Sequence, residues 1–384
     1  MYKTHNWTFY NPVKVFFGVG CRYELTQIFS DKRLLVVCSK RGRSQFEQDL
    51  LLSKLVQKNH VLWVDSVTEN PGLTYLQKEK DSLFDQSIDA VIGFGGGSAL
   101  DTAKVLAVSL SADCKNLSIA ELITQTLLLN ETKSIPLYTM PTTSGTGSEV
   151  TPFATVWNHE TKKKLSLGGT TVFAQTAFID PELTYSLPIH ATISTGLDAI
   201  NQAAESFWNK NANPITFGYS TKALQLGFDA LLCLAKNIED KKSRVHLAEA
   251  SLLAGLAISH TRTALCHSIS YPITAHFGVS HGIACAFSMP AVLEHNLQFD
   301  DGRFELLADS LVSCKSKEGL LNKFKKLNQE LDVLNNVKNK ISSMDALKSI
   351  LNEMNTPSRA NNNLIKITEE VLMDIIERSY YYDS

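Results

Sequence analysis

The run Gly95-Gly96-Gly97-Ser98-Ala99-Leu100-Asp101-Thr102-Ala103-Lys104 follows an apolar stretch, Ala90 to Phe94, and opens what reads as a helix. The pattern predicts a β-strand, a turn without side chains and a helix N-terminus whose free N–H groups and positive dipole end suit a diphosphate. The glycine spacing is neither G-x-G-x-x-G nor the P-loop pattern ending in Lys-Ser/Thr, so neither common nucleotide fold is indicated. Taken alone, the glycines also fit an ordinary strand-to-helix turn.

The first half of the chain alternates β-branched runs with amphipathic stretches: Val13 to Phe17, Leu34 to Cys38, Val61 to Val64, Ala90 to Phe94 and Pro136 to Met140. Such alternation predicts a mostly parallel sheet covered by helices, with ligands outside the carboxyl ends of the strands. Two turns stand there, Gly95 to Ser98 and Pro141 to Ser148, the second carrying five hydroxyls. A Ser/Thr/Gly cluster is also what a solvated loop looks like. After Asp180-Pro181-Glu182-Leu183 helix-length periods take over, and Pro188 is suited to begin a helical domain. The expected architecture is therefore an α/β N-terminal dinucleotide-binding domain, residues 1–185, and an all-helical domain, residues 186–384.

Of the 384 residues 44% are hydrophobic, enough for two cores, and the net charge of -2 leaves no cationic excess for nucleic acid. The seven cysteines are scattered and never spaced as C-x-x-C, which points to a reducing compartment, the cytoplasm. The first residues lack the apolar core of a signal peptide, and the longest apolar stretch is interrupted by His260, Arg262 and His267, so no membrane segment is expected.

In the helical half, Asp198 and Gln202 are four apart and project from one helix face. His267 lies in an apolar helical run, and His281 stands before Gly282 at the opening of another. A carboxylate and two imidazoles suffice for a divalent metal with room for a substrate oxygen. Each histidine is also consistent with a satisfied core residue, since the chain has ten.

Five motifs, "GGGSALDTAK", "MPTTSGTGSEVTPFA", "FIDPELTYSLP", "TGLDAI" and "HFGVSHGIACAF", occur in order. They resemble the iron-containing, or group III, alcohol dehydrogenases across at least Asn11 to Pro290. The resemblance implies the dehydroquinate synthase-like architecture, a cleft between the two domains, and reversible, metal-dependent reduction of an aldehyde to a primary alcohol by NADPH or NADH. It makes Asp198, His267 and His281 ligands of a divalent ion, iron(II) ahead of zinc or manganese. It places the dinucleotide at Ser39, Lys40, Asn70, Gly95, Gly96, Gly97, Ser98, Asp101, Thr142, Thr143, Ser148, Lys164 and Leu183. A homo-oligomer, a dimer, is implied in the same way.

Three departures stand out. Gln202 occupies the place of a metal-binding histidine, which puts affinity and metal preference in question. Tyr271 stands where many relatives carry a histidine near the nicotinamide; it is read either as a proton donor, alongside His276 or water, or as a packing residue before Pro272. Ser39, followed by Lys40, Arg41 and Arg43, replaces an aspartate that binds ribose hydroxyls, which favours NADPH unless the cations only solvate a turn. "AAESFWNKNANP" and "TRTALCHSISYPITAHFGVSHG" look like the phosphonoacetaldehyde reductase (hydroxyethylphosphonate dehydrogenase) branch. Arg262, five residues before His267, is then a substrate residue for a phosphonate, or else the partner of a buried carboxylate. A general primary alcohol dehydrogenase, a metal-poor reductase like the maleylacetate reductases and a non-catalytic nucleotide-binding protein are the competing readings.

Overall fold

The computed structural model describes residues 6–125, 128–299, 301–312 and 314–381. The chain forms two compact units, one running Asn11–Leu187 and one made of residues 6–10 with the chain from Pro188 onward.

Six strands build the sheet of the first unit: β1 (Lys14–Phe17), β2 (Arg33–Val37), β3 (His60–Val64), β4 (Ala90–Gly95), β5 (Leu137–Pro141) and β8 (Thr176–Ile179). Their order is β1-β8-β5-β4-β2-β3 and every pairing is parallel. β6 (Phe153–Asn158) and β7 (Lys163–Gly168) form a separate antiparallel hairpin. A parallel sheet is covered on both faces, which is why β2 reads as a continuous apolar run. Leu34 and Val36 feed one core with Phe46, while Leu35 and Val37 feed the opposite one with Ala103 and Leu106.

All five runs read as strands are strands, each end within one residue of the sequence reading. The sequence reading lacked three others. β8 has only four residues, and the hairpin alternates weakly inside a stretch dominated by Ser, Thr, Gly and Lys. From β2 the chain moves outward to β3, whereas β4 leads to β5 on the other side. This reversal opens a crevice beyond the carboxyl ends of β2 and β4, the usual ligand position in such sheets. α1 (Lys40–Gln48) starts after β2 and α2 (Gly97–Ser109) after β4.

Among its described residues the second unit has helices and no strand. Its principal members are α3 (Ile189–Phe207), α4 (Pro214–Lys236), α5 (Lys241–Thr261), α6 (Leu265–Phe277) and α7 (His281–Asn296). Their starts follow capping chemistry: Pro188 precedes α3, Asn213 caps α4 with Pro214 at the first position, and Asp240 accepts from Ser243 N at α5. Trp208, Phe228, Phe304 and Phe324 fill one continuous core. The sequence reading assigned the N-terminal residues to the α/β half. Here Phe9 instead packs against Tyr219 and His260 of the helical unit, with ring centroids 5.8 and 5.7 Å away. No helix among the described residues is long and apolar enough to cross a membrane.

One buried lysine ties α2 to the hairpin. Lys104 Nζ, fully buried, donates to Thr151 O (2.8 Å), Thr151 Oγ1 (3.0 Å) and Phe153 O (2.9 Å). Burial pulls it down to about 8, against the attraction of Asp101 and Glu149. Burial likewise pushes Glu149 up to about 7, with a backbone N–H and Lys104 opposing. A raised carboxyl contributes stability that is complete below its unfolded value of 4.5 and lost as pH climbs through about 7. Glu149→Gln abolishes that loss, so urea melts should show the variant gaining on the wild type as pH rises through this window; parallel profiles would refute the assignment.

Candidate functional site

In the α/β unit the two polar turns of the sequence are in contact. Thr142 N donates to Gly95 O at 2.9 Å, joining the ends of β4 and β5. Gly95 adopts φ +147°, where a side chain is strained, and a Cβ there would lie 2.8 Å from that of Ala99. Gly96 precedes α2 without any side-chain cap, which leaves the first N–H groups of the helix for an anion. Asn70, at φ 55°, donates its N–H to Ser98 Oγ (3.2 Å), and its carbonyl oxygen faces His159 Nε2 (3.0 Å).

Other predicted dinucleotide residues have structural partners. Asp101 accepts from Ser148 Oγ (2.6 Å) and Thr155 N (2.8 Å), so Asp101 and Ser148 fasten the hairpin to α2. Ser39 caps α1 through Gly42 N (3.1 Å). Arg43 is held by Asp65 and Glu47, and Arg41 donates to Ser186 O. Leu183 is buried and its carbonyl accepts from Gln45 Nε2; Lys164 lies on β7 opposite Trp157.

In the helical unit, Asp198, Gln202 and Glu205 form an i, i+4, i+7 stripe on α3. Across from it α7 begins, and Gly282 permits its approach: a Cβ at that position would sit 1.7 Å from Ser194 O and 3.0 Å from Asp198 N. The hydrogen in place of a methyl therefore lets the first turn of α7 touch the α3 backbone, which brings His281 Nε2 to 3.8 Å from Asp198 Oδ1. His267, from α6, places Nε2 3.2 Å from the same oxygen. Four donor atoms converge, those of Asp198, His267, His281 and Cys285, all within 4.8 Å of one another.

Glu205 sets the His267 ring. Its fully buried carboxylate accepts from His267 Nδ1 (2.6 Å) and from the N–H groups of Ala264 (2.8 Å), Cys266 and His267 at the start of α6. Burial disfavours a charged His267, but Cys285, Glu205 and Asp198 outweigh it and hold the imidazole well above its ordinary value. Burial alone would raise the Cys285 thiol; the imidazoles of His267 and His281 overcome it and bring it to about 7.

Gln202 turns its amide nitrogen to Asp198 Oδ2 at 3.0 Å, and its buried Oε1 has no hydrogen-bond partner. A carboxylate, two imidazoles and a thiol whose donor atoms converge form a donor set that fits a divalent cation. Tyr271, one turn after His267, stacks on His281 with centroids 5.9 Å apart and planes 16° apart. His276, predicted as a catalytic group, does not join the cluster: nine residues after His267 it faces the other side of α6 and pairs with Glu353 Oε2 at 3.0 Å. Arg262 ends α5 at φ 61°, ψ -179°, a region that is nearly glycine-only. Partial desolvation and then the adjacent Arg359 guanidinium depress it below the usual arginine value. Glu205 and Cys285 were absent from the sequence reading, although each lies at helical spacing from a residue that it did single out.

Comparison with known proteins follows the same lines. The family model described as iron-containing alcohol dehydrogenase matches residues 12–181, and the model for the C-terminal part of that family matches residues 192–380. The chain is 26% identical to alcohol dehydrogenase 4 of Saccharomyces cerevisiae over 97% of its length and 98% of that protein. It is 33% identical to the phosphonoacetaldehyde reductase of Streptomyces viridochromogenes over 54% of this chain and 53% of the relative. The crystal structure of sulfoacetaldehyde reductase from Bifidobacterium kashiwanohense in complex with NAD+ superposes with a TM-score of 0.88 at 26% identity, covering 99% of this chain and 100% of that one. The chain belongs to the iron-containing alcohol dehydrogenase family and is an NAD(P)-linked, metal-dependent oxidoreductase of alcohols and aldehydes.

Two substitutions test this construction. Gly282→Ala forces α7 off α3 and should lower stability by about 1–3 kcal/mol in urea melts while abolishing divalent-ion binding in calorimetric titration. Wild-type ion affinity in that variant would contradict the role of the close approach. Glu205→Gln puts an amide N–H against backbone N–H groups and frees the His267 ring, so the same titration should register about 10–100-fold weaker binding.

Proposed function

We propose that this chain reduces a small anionic aldehyde, of the phosphonoacetaldehyde or sulfoacetaldehyde kind, to its primary alcohol. The convergence of Asp198, His267 and His281 on one point carries the reductase part of the reading. Those three side chains would hold the ion, with Glu205 fixing the His267 ring so that Nε2 faces the centre. A divalent ion there supplies Lewis-acid polarisation of the carbonyl. Gly95 to Ser98 and the uncapped start of α2 would hold the diphosphate of a dinucleotide, which when bound would be the source of hydride for the carbonyl carbon. Thr142, Thr143, Asn70 and Lys164 are the further contacts we assign to it, and Lys40 favours NADPH. We assign Tyr271, whose ring stacks on His281, the role of passing its Oη proton to the carbonyl oxygen and being reprotonated from solvent. Seven thiols without a disulfide suit a reducing compartment, the cytoplasm.

The anionic part of the substrate reading rests on Arg262. Its backbone is held in a conformation worth about 1–3 kcal/mol of strain. Three side chains fix the segment around it: Asn209 Nδ2 donates to Arg262 O (3.3 Å), Thr261 Oγ1 to the same oxygen (2.9 Å) and Asn362 Nδ2 to Thr263 O (2.8 Å). A second guanidinium, Arg359, lies close enough to lower its pKa. A guanidinium on a fixed segment at the entry to the helix that bears His267 suits a phosphonate or sulfonate. Two relatives whose names specify such aldehydes add support. Arg262→Ala should lower kcat/KM for phosphonoacetaldehyde and sulfoacetaldehyde by about 10–100-fold, the scale of a charged hydrogen bond, with an uncharged aldehyde affected less than about threefold. Equal losses on charged and uncharged aldehydes would remove the anion reading and leave the reductase chemistry untouched.

A further inference from the structure

We propose that Cys285 is itself a ligand of the divalent ion, while Gln202 orients Asp198, so that the centre prefers zinc to iron(II). The inference rests on the reading that the Asp198 cluster holds such an ion, and it changes both the ligand set and the metal expected from the sequence.

The distances carry it. Around a tetrahedral zinc with nitrogen or oxygen ligands at about 2.0–2.1 Å and one sulfur at about 2.3 Å, neighbouring donor atoms stand about 3.3–3.6 Å apart. Here His267 Nε2 and Asp198 Oδ1 are separated by 3.2 Å, His281 Nε2 and Asp198 Oδ1 by 3.8 Å, and Cys285 Sγ and His281 Nε2 by 3.9 Å. The thiol is thus spaced as a member of the set. Helical spacing puts it there, because Cys285 is one turn after His281 on α7. A buried cysteine is ordinarily a small apolar filler. This one instead lies beside an imidazole and within 4.8 Å of the donor atoms of Asp198, His267 and His281.

Gln202 has a different task. A carboxylate only accepts hydrogen bonds, so the amide group that faces Asp198 Oδ2 must be NH2. This contact occupies Oδ2 and leaves Oδ1 toward the rings of His267 and His281. Turning the amide to offer its oxygen to an ion would remove that donor. Gln202 is accordingly a positioning residue, and Cys285 supplies the fourth protein ligand, so that a substrate oxygen would join by expansion to five-coordination. A soft thiolate in place of a hard amide oxygen moves the preference toward zinc.

The test uses the full-length protein, stripped with a chelator and reloaded with cobalt(II). A bound thiolate produces an intense thiolate-to-cobalt charge-transfer band in the near ultraviolet, which is expected in the wild type and in Gln202→Ala and absent in Cys285→Ser. Because the wild-type spectrum alone is diagnostic, a Cys285 variant that failed to fold would not rescue the idea. Competition between zinc and iron(II), read by metal analysis, should favour zinc in the wild type and shift toward iron(II) by about tenfold or more in Cys285→Ser. Stoichiometric cobalt binding without the band, or the same band in Cys285→Ser, would overturn the thiolate ligand while the metal site stood. Failure of cobalt and zinc to bind at all would instead sink the metal-dependent reading on which this inference rests.

Discussion

The helical unit depends on a contact that only a hydrogen atom permits. At residue 282 any larger group would overlap the Ser194 carbonyl. Without that overlap α7 rests directly on α3, and two helices from distant parts of the chain bring a carboxylate and an imidazole within 4 Å of each other. Backbone contact is more exacting than side-chain packing, because neither partner has a rotamer with which to yield. The precision that a coordination centre needs is therefore built into the helix pair before any ligand arrives.

A buried carboxylate completes the arrangement. Glu205 accepts from the buried N–H groups at the start of α6 and from the His267 ring together. A carboxylate in an apolar core is costly unless all its oxygens are engaged, and here four donors engage them. The same group thus caps a helix and aims an imidazole, so the folding of α6 and the direction of His267 Nε2 are one event. Gln202 does the corresponding service for Asp198. In the α/β unit the logic is similar but the agent is backbone: the glycine turn after β4 is docked on the Thr142 turn after β5, and the uncapped N-terminus of α2 faces outward from a switch point of the sheet.

Much of this was legible in the residues because its signals are periodic or local. The apolar runs of β2, β4 and β5 are continuous since both faces of a parallel sheet are covered, and the glycines after β4 mark a turn that side chains would block. Asp198 and Gln202 advertise one helix face by their spacing. The same rule, applied once more, would have found Glu205 at i+7 and Cys285 one turn after His281. Spacing between cysteines carries no signal for a thiol that lies one turn from a histidine. His276 could have been set aside in the same way, since nine residues from His267 on a helix is the opposite face. The hairpin of β6 and β7 was harder to see, because its anchors, Asp101, Ser148 and Lys104, also belong to motifs that look like ligand sites.

The amino-acid order by itself determined the fold class, five of the six strands of the parallel sheet, the glycine turn and, through its ordered motifs, the resemblance that groups Asp198, His267 and His281, because these follow from periodicity and local pattern. Tertiary structure alone decided that Gln202 presents nitrogen rather than oxygen to Asp198, that a thiol joins the cluster, that Asp101 fastens a hairpin and that His276 stands apart. Those outcomes depend on which side chains meet across helices and strands far apart in sequence. No local pattern encodes such a meeting; close packing settles it when donors and acceptors are matched in space.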